Sequence, residues 1–226
     1  MAAQQQTPAH DQHNPDLLAM IPPDAKQIIE IGCSYGALAR EFKKTNPTCH
    51  YRGIDIEESY VAVARSYCDD CFSLDLETAP MSFWEQQRDR DCWIFGDTLE
   101  HMRDPWNVLQ HIAQIIPTGG SIVACIPNAQ HWSLQARLSI GDFRYAESGL
   151  LDKTHLRWFT RQTMLELFSN AGFQVTDGKA RIFNEPGRSV FLHAIEELAR
   201  LAGGDPSIAA QDATPLQYVF RAVKAN

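Results

Sequence analysis

The chain has 226 residues, 44% hydrophobic and 10% aromatic, and its 20 Lys and Arg against 28 Asp and Glu give a net charge of −8. That length and apolar content suit one domain with a real core and exclude intrinsic disorder. The negative balance excludes non-specific attraction to nucleic acid or an anionic membrane, and no apolar run approaches the ~20 residues needed to cross a bilayer.

Residues 1–15 are polar, with Gln4–Gln6, two His and two Pro, and predict a disordered lead ahead of a single domain over 16–226. Met1–Thr7 has neither a basic start nor an apolar stretch, so no secretory signal is expected. Six irregularly spaced Cys read as cytosolic thiols and place the protein in the cytoplasm. Asp16–Ile21 predicts a short helix stopped by Pro22 and Pro23, and Gln27–Ile31 a buried strand ended by Gly32. Tyr35–Lys44 has helical spacing, with two Lys in its last turn. A second strand is predicted over Cys49–Asp55, a second helix over Ser59–Tyr67, a weaker strand over Cys71–Asp75 and a very apolar one over Asp91–Phe95. Asp104 caps a helix whose first position is Pro105, where the missing N–H costs nothing. Val108, Leu109, Ile112, Ile115 and Ile116 make its apolar face, and Ser121–Ile126 is a fifth strand.

Residues 127–159 show no single period, and such a long irregular stretch is usually functional. Thr160 then caps a helix through Ala171, a strand follows near 173–183, and Pro215–Lys224 is a terminal strand. Ser189–Ala202 is amphipathic; its stripe covers the sheet or, as the second choice, forms a homodimer surface. Strand and helix alternate from 27 to 126, which predicts an α/β fold with a mostly parallel sheet and helices on both faces.

The chemical signal is Glu30-Ile-Gly-Cys-Ser-Tyr-Gly36 between a strand and a helix, where small residues let a ligand press on the backbone. Asp55 ends the next strand, where a carboxylate lies beside a bound ribose. A dinucleotide would want Gly at 32, 34 and 37, but Ser34 and Ala37 stand at two of these. The remaining segments resemble the class I S-adenosylmethionine-dependent methyltransferase family: Glu30, Gly32, Ser34 and Gly36 for its glycine motif, Gly53–Ile56, Ser73–Glu77, Asp97–His101, Pro117–Ser121 and Ile126–Asn128, in the family's order over roughly 26–183.

The resemblance implies a Rossmann-like seven-stranded sheet with an antiparallel last strand, and S-adenosylmethionine as cofactor. It assigns Glu30, Gly32, Ser34, Gly36 and Asp97 to the cofactor, with Gly32 and Gly36 lining the methionine portion. Asp55 takes the ribose diol, Ile56 packs on the adenine, and Asp75 or the Leu76 backbone meets the adenine amino group. Asp97, Glu100 and His101 fall on one side of a helical turn, and with His155 they resemble the metal-holding segment of ubiquinone-pathway and small-RNA O-methyltransferases. A catalytic role for Glu100, His101 and His155 with one His as general base is preferred, and no metal is expected; a divalent metal on Asp97, Glu100, His101 and His155 is the second choice. Residues 141–160 resemble the substrate lid of bacterial sugar and surface-glycan methyltransferases, with the whole lid spanning about 128–160. Its Trp132, Phe143, Tyr145 and Trp158 could stack on a sugar or ring, and Arg144, Lys153 and Arg157 could meet a phosphate or carboxylate; equally, Trp158 and Phe159 could anchor the following helix in the core and the basic residues form a solvated rim. The expected activity is O-methylation of a sugar, glycan precursor or other small hydroxyl-bearing metabolite, with N-methylation or a non-catalytic binding module as alternatives. Nucleic acid is not an expected partner. Cys68-Asp-Asp-Cys71 has metal-like spacing without a second pair and is expected to be incidental.

Overall fold

A computed structural model of the chain describes residues 11–225. Seven strands, β1 (Gln27–Ile31), β2 (His50–Asp55), β3 (Asp70–Ser73), β4 (Cys92–Gly96), β5 (Ser121–Pro127), β6 (Phe173–Arg181) and β7 (Gln217–Lys224), form one sheet in the order β3-β2-β1-β4-β5-β7-β6. The pairs from β3 through β5 are parallel, and β7 runs antiparallel between β5 and β6, as the family resemblance implied. A parallel strand flanked on both faces must be apolar on both. Accordingly Trp93 and Phe95 of β4 join one core with Ile122 and Ala124 of β5, while Cys92, Ile94, Val123 and Cys125 join the other.

Two layers of helix cover those faces. On one, α4 (Met81–Glu85), α5 (Pro105–Ile115) and α7 (Arg161–Asn170) supply Trp84, Val108, Leu109, Ile112, Met164 and Phe168. On the other, α1 (Pro15–Met20) and α2 (Ala37–Thr45) supply Leu17, Leu38, Ala39 and Phe42. Each such fully buried Leu, Ile or Phe contributes ~1.5–3 kcal/mol by leaving water. The second linking helix, α3 (Glu58–Ala64), buries Val61 and Ala64. Asp104 and Thr160 cap α5 and α7 as their sequence positions predict.

Four differences have physical reasons. The lead predicted to lack structure through residue 15 is ordered earlier: the Asn14 side chain accepts from the amides of Asp16 and Leu17, and α1 begins at Pro15. The rest of that expectation, residues 1–10, lies outside the described residues. α6 (Trp132–Ser139) interrupts the segment predicted to be irregular; it buries only Leu134 and is capped by His131, so it carries no clear period. α4 and α9 (Pro206–Asp212) are too short to show one. Finally, α8 (Arg188–Leu201) packs on α6 and α9 and leaves Val190, Leu198 and Leu201 at the surface, where a sheet cover was expected. Among the described residues no helix is long and apolar enough to cross a membrane.

Candidate functional site

A cavity of about 710 Å³ opens at the carboxyl ends of β1, β2, β4 and β5. The strand order reverses there, since β2 lies on one side of β1 and β4 on the other, and the flanking connections diverge to leave a crevice. Two non-glycine residues among those described have a positive φ, Ser34 at 49° and Asp97 at 51°, and both line this cavity. Left-handed backbone at such residues costs on the order of 1–3 kcal/mol, so the strain is concentrated at the site.

The loop after β1 is shaped from both sides. Gly32 has a φ of 75°, and a Cβ on it would sit 2.6 Å from Thr98 Oγ1. That hydroxyl is fixed by donating to the carbonyls of Ile31 and Gly96. Glycine is therefore required at 32 by conformation and by space. The amides of Gly32 and Cys33 both donate to the Ile54 carbonyl, holding the loop against β2. Ser34 Oγ is buried without a hydrogen-bond partner. Gly36 is placed differently from expectation: it does not line the cavity, but caps α2 with a φ of 76°, its α-carbon facing Ala64 of α3.

Asp55 closes β2 and accepts from the amides of Ser34 at 2.9 Å and Glu57 at 3.0 Å. Burial pushes its carboxyl up, and those amides oppose the shift. Ile56 is 44% exposed yet lines the cavity, as do Asp75 and Leu76, with Asp75 also capping a 3-10 turn over Leu76–Thr78. Glu30 lies at the cavity floor, raised to about 8 by burial while the Tyr51 hydroxyl donates to it at 2.9 Å.

Across the cavity, Glu100, His101 and His155 each bring a ligand atom within 4.8 Å of the others. Both Glu100 carboxylate oxygens are buried without a hydrogen-bond partner. Burial, followed by the charges of Asp97 and Asp152, raises Glu100 well above the ordinary carboxylate range. The His101 and His155 rings meet edge to face at 4.8 Å. Burial lowers both, His155 to about 4 with a further push from His101. Asp97, the fourth residue of the expected metal set, stands outside this cluster; its carboxylate accepts from the Gln217 amide and the Cys125 thiol.

The ring of His101 is oriented by residues that the sequence pattern did not single out. Its Nδ1 faces the Thr154 carbonyl at 3.2 Å and the Thr154 hydroxyl at 3.0 Å. That hydroxyl donates to Asp152 at 2.7 Å, so both groups facing Nδ1 act as acceptors. Nδ1 therefore carries the proton and Nε2 keeps the lone pair.

The lid supplies a wall of the cavity, though not through its aromatic or basic side chains. Residues 147–150, Asp152 and Thr154–Leu156 line the cavity, whereas Trp132, Phe143, Tyr145 and Trp158 do not. Phe143 packs on Tyr145 and Trp158, and Trp132 donates to Glu185 and stacks on Phe191. The lid cations are likewise turned to the protein: Arg144 pairs with Asp142, Lys153 with Glu147, and Arg157 lies over Trp106. Gln12, His13 and Asn14 of the lead also line the cavity.

A family model described as a methyltransferase domain matches residues 3–177. The chain is 24% identical over 180 residues to a malonyl-[acyl-carrier protein] O-methyltransferase of Brevibacillus brevis, a match covering 76% of this chain and 64% of that protein, so it spans less than two thirds of the relative's length. Its fold is similar to that of a chain from the Haloferax volcanii complex between the Trm112 methyltransferase activator and a methyltransferase, with a TM-score of 0.62, 17% identity, and 93% and 88% of the two chains covered. It is similar also to an S-adenosylmethionine-dependent methyltransferase from Thermotoga maritima, with a TM-score of 0.61, 17% identity and the same coverage.

Proposed function

The chain belongs to the methyltransferase domain family, and from that premise we propose that it moves a methyl group from S-adenosylmethionine to an oxygen of a small hydroxyl-bearing metabolite. The cofactor would supply an electrophilic methyl on a good leaving group, so the chain's own task is to bind, align and exclude water. The residues fit the cofactor: Gly32 lets the cavity-lining loop lie close against Thr98, and Ser34 Oγ in the same loop is a buried polar atom without a hydrogen-bond partner. Asp55 would hold the ribose hydroxyls, Ile56 the adenine face, and Asp75 or the Leu76 amide the adenine edge. Glu30 and Asp97 add carboxyl groups near the cationic end.

The observation that carries the oxygen acceptor is the His101–His155 pair beside buried Glu100. His101 Nε2 would take the hydroxyl proton, Asp152 and Thr154 fixing the tautomer that leaves it able to do so. Glu100, held protonated, would donate to the acceptor and His155 would shape the pocket around it. The naming of the Brevibacillus relative as an O-methyltransferase supports the same atom. Sugars remain within the class, supported by the lid resemblance, although the lid aromatics offer no stacking face to the cavity.

Two further readings have their own observations. The lining residues include eight carboxyl side chains and one guanidinium, Arg103, which favours an amine over an anionic acceptor should nitrogen be the target. A divalent metal would be held by Glu100, His101 and His155, whose orphaned carboxylate suits it, and would polarise the acceptor oxygen. The deciding experiment is a panel of hydroxyl, carboxylate and amine metabolites incubated with methyl-labelled cofactor, the labelled atom being located by mass spectrometry. Label on oxygen supports the proposal; label confined to nitrogen replaces it with the second reading. No turnover and no binding of the demethylated cofactor would leave a non-catalytic module.

A further inference from the structure

Three thiols meet at one point beside β2, and one of them, Cys33, also lines the cavity. Gly53 of β2 has no side chain, and a Cβ there would lie 2.9 Å from the sulfur of Cys33 and 3.0 Å from those of Cys68 and Cys71. Any other residue at 53 would push all three apart. Cys71 sits beside Gly53 in the β2–β3 register, and its Sγ is 3.8 Å from that of Cys33. All six cysteines are free, with Cys33 buried and Cys68 and Cys71 half-buried. The CxxC spacing of 68 and 71 is therefore not incidental: it brings two thiols to a third that comes from the loop after β1.

We propose that Cys71 and Cys33 form a reversible disulfide under hydroperoxide, and that this bond withdraws the loop carrying Gly32 and Ser34 from the cofactor. Cys71 is the attacking group. Thiol hydrogen bonds from Cys33 and then Cys68, with the Arg65 charge adding to them, hold it down to about 4, and the same contacts and burial push its two neighbours up. The thiolate is the nucleophilic form. Its sulfur attacks one peroxide oxygen, the O–O bond breaks, and Cys71 becomes a sulfenic acid as hydroxide leaves. Cys33 gives its proton to that hydroxide while its sulfur attacks the sulfenic sulfur; the S–S bond forms, and the sulfenic oxygen leaves as hydroxide, which takes up from solvent the proton that Cys71 released on ionising. Two thiols are oxidised and one peroxide is reduced to two waters.

Closing the bond draws sulfurs now 3.8 Å apart to about 2.05 Å. Cys33 stands between Gly32, fitted against Thr98, and Ser34, whose amide holds Asp55, so the loop cannot yield without disturbing both. The disulfide stands on its own geometry; its effect on ligand binding rests on the cofactor assignment made above.

The test uses the full chain, reduced and then treated with stoichiometric hydrogen peroxide. Trypsin leaves Cys33 in peptide 27–40 and both Cys68 and Cys71 in peptide 66–88. Mass spectrometry is expected to find these two peptides joined, and calorimetry to find the affinity for S-adenosylhomocysteine down tenfold or more, about 1.4 kcal/mol, with dithiothreitol restoring both. Cys71→Ser should bind as the reduced protein does and respond to neither treatment, while Cys68→Ser should still form the cross-link. Peptide 66–88 closed on itself, no cross-link at all, or a cross-link with unaltered affinity would each overturn the proposal. A reduced protein that does not bind the ligand removes the cofactor assignment instead, and the peptide map still decides the disulfide.

Discussion

The carboxylate of Asp55, at the end of β2, accepts the amide of Ser34, in the loop after β1, at 2.9 Å. One acid thus braces the loop and faces the cavity in which the ribose is proposed to lie. Asp55→Ala is expected to weaken binding of S-adenosylhomocysteine by on the order of 1–3 kcal/mol, the range for losing charge-assisted hydrogen bonds. Calorimetry showing equal affinity would remove the ribose assignment.

Gly32 and Thr98 share one space, with a Cβ on the first reaching 2.6 Å from the hydroxyl of the second. Gly32→Ala should destabilise the fold by roughly 1–3 kcal/mol, through left-handed strain and the collision together. Adding Thr98→Ala relieves the collision and leaves the strain, so thermal denaturation should show partial recovery. Full recovery would mean that conformation plays no part.

His101→Ala is expected to spare cofactor affinity and slow turnover about a hundredfold, the scale of a lost general base. Thr154→Val keeps the imidazole but removes the hydroxyl that links Nδ1 to Asp152. It should lower kcat by a smaller factor, about tenfold, with KM little changed. Unaltered rates in both variants would take the histidine off the proton path.

If His101 acts as the base without a metal, a chelator added to the enzyme leaves turnover intact. Loss of activity that returns with a divalent cation would shift the assignment to ligation by Glu100, His101 and His155.

Glu30 gives a pH dependence with a definite sign. Burial raises it to about 8 in the folded chain from an ordinary 4.5. The folded state therefore holds the proton more tightly, so its stabilising share is complete below pH 4.5 and is lost as pH rises through 8. Other groups titrate too, and Glu30→Gln isolates this one. Between pH 6.5 and 8 the variant should gain about 2 kcal/mol on the wild type in urea unfolding. Parallel stability curves would place a charged Glu30 in the fold throughout.

Local pattern carried far in this chain. The alternation of apolar runs and helical faces from 27 to 126 gave the parallel strands, because a strand covered on both sides has to be apolar on both. Pro105 behind Asp104, and Thr160, marked helix starts through chemistry confined to a few adjacent residues. The small residues at 32 and 34 and the acid at 55 marked a strand-end loop and the acid beside it. What pattern could not supply was direction. Gly36 belongs to the same motif as Gly32, yet only the packing of α3 turns it toward Ala64. The lid aromatics have the composition of a stacking platform, yet Phe143 packs on Tyr145 and Trp158, and Trp132 on Phe191, none of them lining the cavity. The residues that orient His101 and the third thiol that joins Cys68 and Cys71 lie far from them in the chain, so a three-dimensional fold alone could bring them together. Sequence determined the strands, the helices with a clear apolar face and the place of a small-residue loop at a strand end; tertiary packing decided which side chains face the cavity, since facing depends on neighbours distant in sequence.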